Sequence, residues 1–232
     1  LDEAYALIAQ VDRAIAHARE AGRGMRGELR IGYSPSSMMS ILPGALRAYR
    51  AGHPEVRLTL RALAPAPLLE ALERHEIDAG VLLEQRARVR SAALDVRRIG
   101  SLPFALVLPE GHRLAREHPV AIEEIGRETL ILYARDLTDV YGIVVAMCRE
   151  RGFAPARIQE VDRIEAILGL VAAGEGVSIV PRAYDSLVFR GVVYASLSPA
   201  PQPMAMIVAR NRNPDSALAE GFVETCRLAA GE

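Results

Sequence analysis

LRIGYSPSSMMSILPGALRAYRAGHPEVRLTL, residues 29–60, and TLILYARDLTDVYGIVVAMCRERGFAPARIQE, residues 129–160, are one pattern written twice at an offset of a hundred positions. Each begins with a short apolar strand-like run, LRIGY or TLILY, and passes through a polar loop, SPSS or ARDLTD. An apolar-periodic helical run follows, MMSILPGALRAYRA or VYGIVVAMCRER, then a glycine, a proline-containing turn and a second strand, VRLTL or RIQEV. Tyr33 pairs with Tyr133 and Gly52 with Gly152 in this register. Strand, loop, helix, strand is the unit of a parallel sheet. It carries the loop and the helix start beyond the carboxyl edge of the strands. Two such units facing each other make a cleft, and a cleft flanked by helix N-termini is first of all a small-molecule site.

Working outward, residues 1–21 place Leu1, Ala4, Ile8, Val11, Ile15 and Ala18 at alternating steps of three and four. That spacing predicts a short coiled-coil helix, ended by the glycine-rich joint GRGMRG at 22–27. Gly22, Gly24 and Gly27 match G-x-G-x-x-G only by accident, because they follow a helix and open a strand, the reverse of a dinucleotide fingerprint. Pro65 and Pro67 open a helix through LLEALERH, and DAGVLLE (78–84) reads as a strand buried on both faces. VRRIG and PFALVLPEGH form a long extended stretch through Pro103, a first crossing between lobes. IEEIGRE is a short helix before the second unit. Asp162 to Glu165 has capping-box spacing ahead of the helix IEAILGLVAAGEG, and VSIVP is the next buried strand. PAPQPMAMIV (199–208) returns the chain to the first lobe, and Asn213-Pro214 caps a final helix, 214–230. The prediction is α/β: two Rossmann-like lobes joined by two crossing strands, preceded by a linker helix. The expected divisions are 1–26, then 27–102 plus 205–232 as lobe I, and 103–204 as lobe II.

Composition narrows the function. The chain has 232 residues, half of them apolar, and a net charge of −1, which gives no electrostatic reason to expect nucleic acid or an anionic membrane as partner. All 28 basic residues are arginine, which reads as a compositional bias of the source. Cys148 and Cys226 lie at neither metal nor redox spacing, and the five histidines form no helical ligand pair, so neither metal nor other cofactor is expected. No signal peptide or membrane span is visible, so a cytoplasmic location is expected. GVSIV at 176–180 lacks the second glycine of a nucleophile elbow, leaving Ser178 a strand residue, and a chain without lysine has no P-loop. No enzyme constellation survives. Ser36 and Ser37 either cap the helix after them or, with the free amides behind, hold a ligand carboxylate. In the second unit Thr138 or Asp139 is the cap, Tyr141 lines the cleft or packs beneath it, and Arg135 with Asp136 is a solvated pair.

GELRIGY with its serine loop, ILPGALRAYRAGHPEVRLTL, LLEALERHEIDAGVLL, FALVLPEGHRLA and LGLVAAGEGVSIVP, in that order, resemble the effector-binding part of LysR-type transcriptional regulators. The stretch from LILY to LGLVAAGEGVSIVP is most similar to the subgroup that senses muconate, benzoate and related products of aromatic catabolism. The resemblance implies a periplasmic-binding-protein-like fold with the effector between the lobes, and a homodimer or homotetramer. It also implies a winged helix-turn-helix ahead of the linker helix. Such a regulator meets DNA only through that domain, so the chain is expected to be a fragment of one. It further implies effector contacts at Ser36, Pro65, Asp139, Val140 and Tyr141, and Ser37, Arg135 and Ala205 join them as candidate effector contacts. Pro65 falls where the relatives carry a hydroxyl, and Asp139 brings negative charge where they are neutral. Both departures argue against a muconate-like dianion. The competing reading is a transporter's solute-binding protein, which shares the architecture and predicts a secreted monomer.

Overall fold

The computed structural model describes residues 27–84, 91–135, 137–138, 140–212 and 217–231. The linker helix, most of the joint, Asp136, Asp139 and the Asn213-Pro214 cap lie outside these residues. The chain forms two compact units, one ending at Gly100 and resuming at Ala205, the other running from Ser101 to Met204. It therefore passes twice between them.

In the first unit, strands β1 (Gly27–Tyr33), β2 (Val56–Ala62), β3 (Ala79–Leu83), β4 (Leu94–Leu102) and β12 (Met204–Asn211) form one sheet in the order β2-β1-β3-β12-β4. β1 runs parallel to β2 and β3, with Ile31 opposite both Leu60 and Ala79, and β12 is antiparallel to β3. β3 is buried along its whole length, as its unbroken apolar run requires. The second unit holds β5 (Phe104–Pro109), β6 (Val120–Ala121), β7 (Thr129–Tyr133), β8 (Arg157–Val161), β9 (Ser178–Pro181), β10 (Val192–Ala195) and β11 (Leu197–Ser198). β10-β5-β9 are antiparallel, β7 and β8 are parallel, and the parallel bridge Leu130–Val177 joins the two sets. Read through that bridge, the order β8-β7-β9-β5-β10 repeats the first unit's β2-β1-β3-β12-β4. The doubled sequence is thus a doubled sheet.

The helical run after β1 is broken where a single helix was expected. α1 (Pro35–Met38) is one turn, and α2 (Leu42–Gly52) restarts with Pro43 in its first turn. Proline has no N–H and its ring collides with the carbonyl four residues back, so an uninterrupted helix cannot run through Pro43. α3 (Pro65–Glu73) begins on Pro65 and packs Leu68 and Leu72 into a core with Ile77, Leu82, Leu94 and Ile207. In the second unit, α4 (Val140–Glu150) and α5 (Ile164–Ala172) follow β7 and β8. The capping box expected at Asp162–Glu165 does not form. Arg163 occupies the cap position of α5 without a side-chain bond, while Asp162 lies 3.9 Å from the Arg163 guanidinium. IEEIGR is a single 3-10 segment, Ile122–Arg127. The last helix, α6 (Ala217–Ala229), lies against α2, where Tyr49 stacks on His53, meets Phe222 edge-on and donates its hydroxyl to the Leu218 carbonyl at 3.0 Å.

Three helices end with the same double hydrogen bond. After α4, the Gly152 and Phe153 amides donate to the Arg149 and Cys148 carbonyls, with Gly152 at φ 78°. After α5, Gly174 and Glu175 donate to Val171 and Leu170, with Gly174 at φ 81°. After α3 the left-handed position is held by His75 at φ 57°, with His75 and Glu76 donating to Leu72 and Ala71. This is the Schellman closure, which needs a left-handed residue just past the helix. Gly52 plays no such part: it is the last residue of α2, outside the left-handed region, and the cap is His53 at φ −134°. The Gly52–Gly152 correspondence is one of sequence only.

Candidate functional site

At the carboxyl end of β1 the chain turns sharply into α1, and three serines are buried together. Ser34, the cap residue of α1, makes no side-chain cap bond; instead its hydroxyl stands 3.2 Å from that of Ser36 and 3.4 Å from that of Ser37. Ser37, 0 % exposed, lies 2.7 Å from the Ser34 carbonyl and 2.8 Å from that of Val81 on β3. Its one proton is therefore committed to main chain. Ser37 ties α1 to the sheet, which is a structural employment. Ser36 is different: among the described residues its hydroxyl meets one other hydroxyl, at a long distance, so it can turn toward a ligand while Ser34 adjusts. Neither serine caps α2, the helix to which sequence reasoning had attached them.

Pro65 is the first residue of α3 and is buried, offering its ring and no hydrogen-bond donor. Ala205, in β12, accepts a 2.8 Å hydrogen bond from the Glu84 amide through its carbonyl, which brings it beside the carboxyl end of β3. Ser36, Ser37, Pro65 and Ala205 all belong to the first unit.

In the second unit the loop after β7 carries Arg135, whose described acidic partner is Glu160 on β8. The Arg135 amide donates to one Glu160 oxygen at 3.1 Å, while Nε and Nη2 donate to the other at 3.2 and 2.7 Å. The same guanidinium lies 5.0 Å from the Tyr141 ring centroid and reaches the Tyr141 hydroxyl at 3.4 Å. Hydrogen bonding to Arg135 holds the Glu160 carboxyl below its ordinary range. Thr138 accepts a 3.2 Å bond from the Val140 amide; Asp139, the other candidate cap, lies outside the described residues. Val140 is 2 % exposed and its side chain belongs to the core. Behind the loop, the Tyr133 hydroxyl donates to that of Tyr184 at 3.3 Å, and burial pushes both phenols above their usual range.

Sequence reasoning missed Ser34 and Glu160. Ser34 directly follows the last residue of a parallel strand, which is signal enough. Glu160 sits in a largely exposed strand, RIQEV, and the β7–β8 register, Leu132 opposite Glu160, shows that it meets the Arg135 loop.

Residues 22–230 match the family described as LysR substrate binding domain. The chain belongs to that family. Among curated relatives, it is 28 % identical over 217 residues to the HTH-type transcriptional regulator AlsR of Bacillus subtilis, covering 93 % of this chain and 71 % of AlsR. It is 25 % identical to XapR of Escherichia coli over 85 % of this chain and 66 % of XapR. It is also 25 % identical to BenM of Acinetobacter baylyi over 97 % of this chain and 73 % of BenM. The chain thus spans about two thirds of the length of these regulators. The solved effector-binding domain of BenM with its effector benzoate superimposes with a TM-score of 0.78 at 25 % identity, over 88 % of this chain and 92 % of that one. Full-length CbnR, at 21 % identity, matches with a TM-score of 0.82 over 100 % of this chain and 80 % of CbnR, a likeness of fold. The two-lobed, periplasmic-binding-protein-like α/β fold expected from the sequence is that of the LysR effector-binding domains. The family's named members are transcriptional regulators, so the role of this domain is regulatory. Among the described residues no helix is long and apolar enough to cross a membrane.

Proposed function

We propose that this chain is the effector-sensing and oligomerising part of a LysR-type regulator of aromatic catabolism, and that it binds a small carboxylate or aromatic metabolite. DNA would be met only through a winged helix-turn-helix outside this chain, in a homodimer or homotetramer. The observation that carries the reading is the serine turn after β1. It presents the adjustable Ser36 hydroxyl beside Ser37, whose own proton is already committed. An acid in that place fits the benzoate bound by BenM. In the second unit, Arg135 and Tyr141 offer a cation and a ring to the same class of molecule. An effector acts here only through unequal affinity for two arrangements of the protein, so its binding free energy is also its regulatory free energy. A transporter's solute-binding protein is the weaker reading, since the named relatives are regulators.

Calorimetry against benzoate, muconate and related acids tests this. Ser36→Ala is expected to weaken binding roughly five- to tenfold, the worth of one hydrogen bond to a charged group. Ser37→Ala is expected to leave affinity nearly unchanged but lower stability by about 1 kcal/mol, because the buried hydroxyl's hydrogen bonding to the Ser34 and Val81 carbonyls is lost. Tight binding indifferent to both Ser36→Ala and Tyr141→Ala rules out the placement.

A further inference from the structure

Arg135 already holds a carboxylate. Glu160 offers it two oxygens and receives three donors, one from the main chain and two from the guanidinium, between 2.7 and 3.2 Å. That is how an arginine-bearing loop would grip the carboxylate of a small acid. The guanidinium is fixed from a second direction as well, lying over the Tyr141 ring with Nη2 aimed at the phenol oxygen. Arg135 is thus oriented and desolvated on one face before any ligand arrives, although its side chain remains 68 % exposed.

We infer that Glu160 is an internal stand-in for the carboxylate of a small acid held at this loop: an aromatic acid binds here by displacing Glu160 from Arg135 and laying its ring against Tyr141, a contact separate from that at Ser36. The inference rests on the effector-binding reading above. Exchanging one carboxylate for another on the same donors is nearly neutral in direct contact energy. An acid that offers only charge therefore gains little by displacing a tethered competitor. One that also brings an aromatic face gains the contact with Tyr141 and the arginine, and wins. Glu160 then acts as a filter that rejects acetate-like anions and admits ring-bearing acids. Hydrogen bonding to Arg135 lowers the Glu160 carboxyl from its ordinary range and so favours the anion that competes.

The test uses isotope-labelled chain and follows the Arg135 Nε–H and Tyr141 ring resonances during separate titrations with benzoate and acetate. Wild type is expected to respond to benzoate and hardly to acetate. Glu160→Gln keeps the fold, checked by its thermal midpoint. It is expected to bind benzoate roughly two- to fivefold more tightly, the scale of one exposed ion pair, and to gain a response to acetate. Arg135→Gln is expected to abolish both responses. Identical titrations of wild type and Glu160→Gln overturn the inference, as does a benzoate response at Tyr141 that survives Arg135→Gln, or no response in any variant. If Glu160→Gln changes nothing while binding still depends on Ser36, the stand-in falls and the effector reading stands. If no acid binds any variant, both fall.

Discussion

Gly176→Ala is expected to be among the most damaging single-methyl additions to the second unit. A β-carbon at Gly176 would lie far inside contact distance of the Thr129 carbonyl oxygen, 3.0 Å from the Thr129 β-carbon and 3.1 Å from its carbonyl carbon. What it meets is backbone, which cannot swing aside as a side-chain tip can. The strands must part locally, and the bonds at risk are Val177 N–H to Thr129 O and Ile131 N–H to Val177 O, both 2.9 Å. Two weakened bonds at about 1 kcal/mol each, plus about 1–3 kcal/mol of overpacking, give a loss of about 3–5 kcal/mol. Gly174, two residues earlier, is the control. Its β-carbon would meet nothing within 4 Å, and only its φ of 81° opposes a side chain, so Gly174→Ala should cost about 1–2 kcal/mol. The two glycines of AAGEG thus serve different purposes, one closing a helix and the other admitting a neighbouring strand. Urea unfolding gives the global shift, and hydrogen exchange at the Val177 and Ile131 amides reports the joint itself, which a two-unit chain makes necessary. Equal losses from the two substitutions, or unchanged protection at Val177 in Gly176→Ala, refute the reasoning.

His75→Gly removes the side chain from the left-handed closure of α3, and a gain of about 0.5–1 kcal/mol is expected in denaturant midpoint measurements; a loss would show that the 3.4 Å contact between His75 and Asn211 outweighs backbone strain. The Glu160 carboxyl is lowered by its hydrogen bonds to Arg135, so the stability it contributes is present above the ordinary carboxylate range and is lost as pH falls through its folded-state value. Carbon-detected titration of Glu160 should therefore show a midpoint below that of a free glutamate, returning upward in Arg135→Gln; a midpoint at the free value discounts the pairing.

Strands were legible wherever apolar runs met turn residues. LRIGY, AGVLL, TLILY and SIVP all form the strands their composition predicts, because burial on both faces leaves little else for such runs to do. Helix starts were less legible. Pro65 announced α3, yet Pro43 carried the same message inside a run whose apolar spacing suggested continuity, and the steric rule prevailed over periodicity. The capping box at Asp162 failed because the β8 strand and its turn place Arg163, not Asp162, at the helix entry. β10, β6 and β11 went unread: β6 and β11 are only two residues long, and the pairing partners of all three lie far away in sequence. For the site, residue identity was legible and employment was not. Ser36 and Ser37 look alike in the sequence, but only the distance to Val81 on β3 shows that one is bound to the scaffold.

The position of β12 between β3 and β4 has a consequence for the order of assembly on the ribosome. Every strand of the second unit has emerged before residue 204, whereas the first unit still lacks its fourth member. The N-terminal unit is therefore the later one to be completed, against the usual sequence of vectorial folding. Until residues 204–211 arrive, the apolar strand β3 presents an unpaired edge. That interval is when a nascent chain is most exposed to strand-to-strand association, and slow synthesis across the second unit would prolong it.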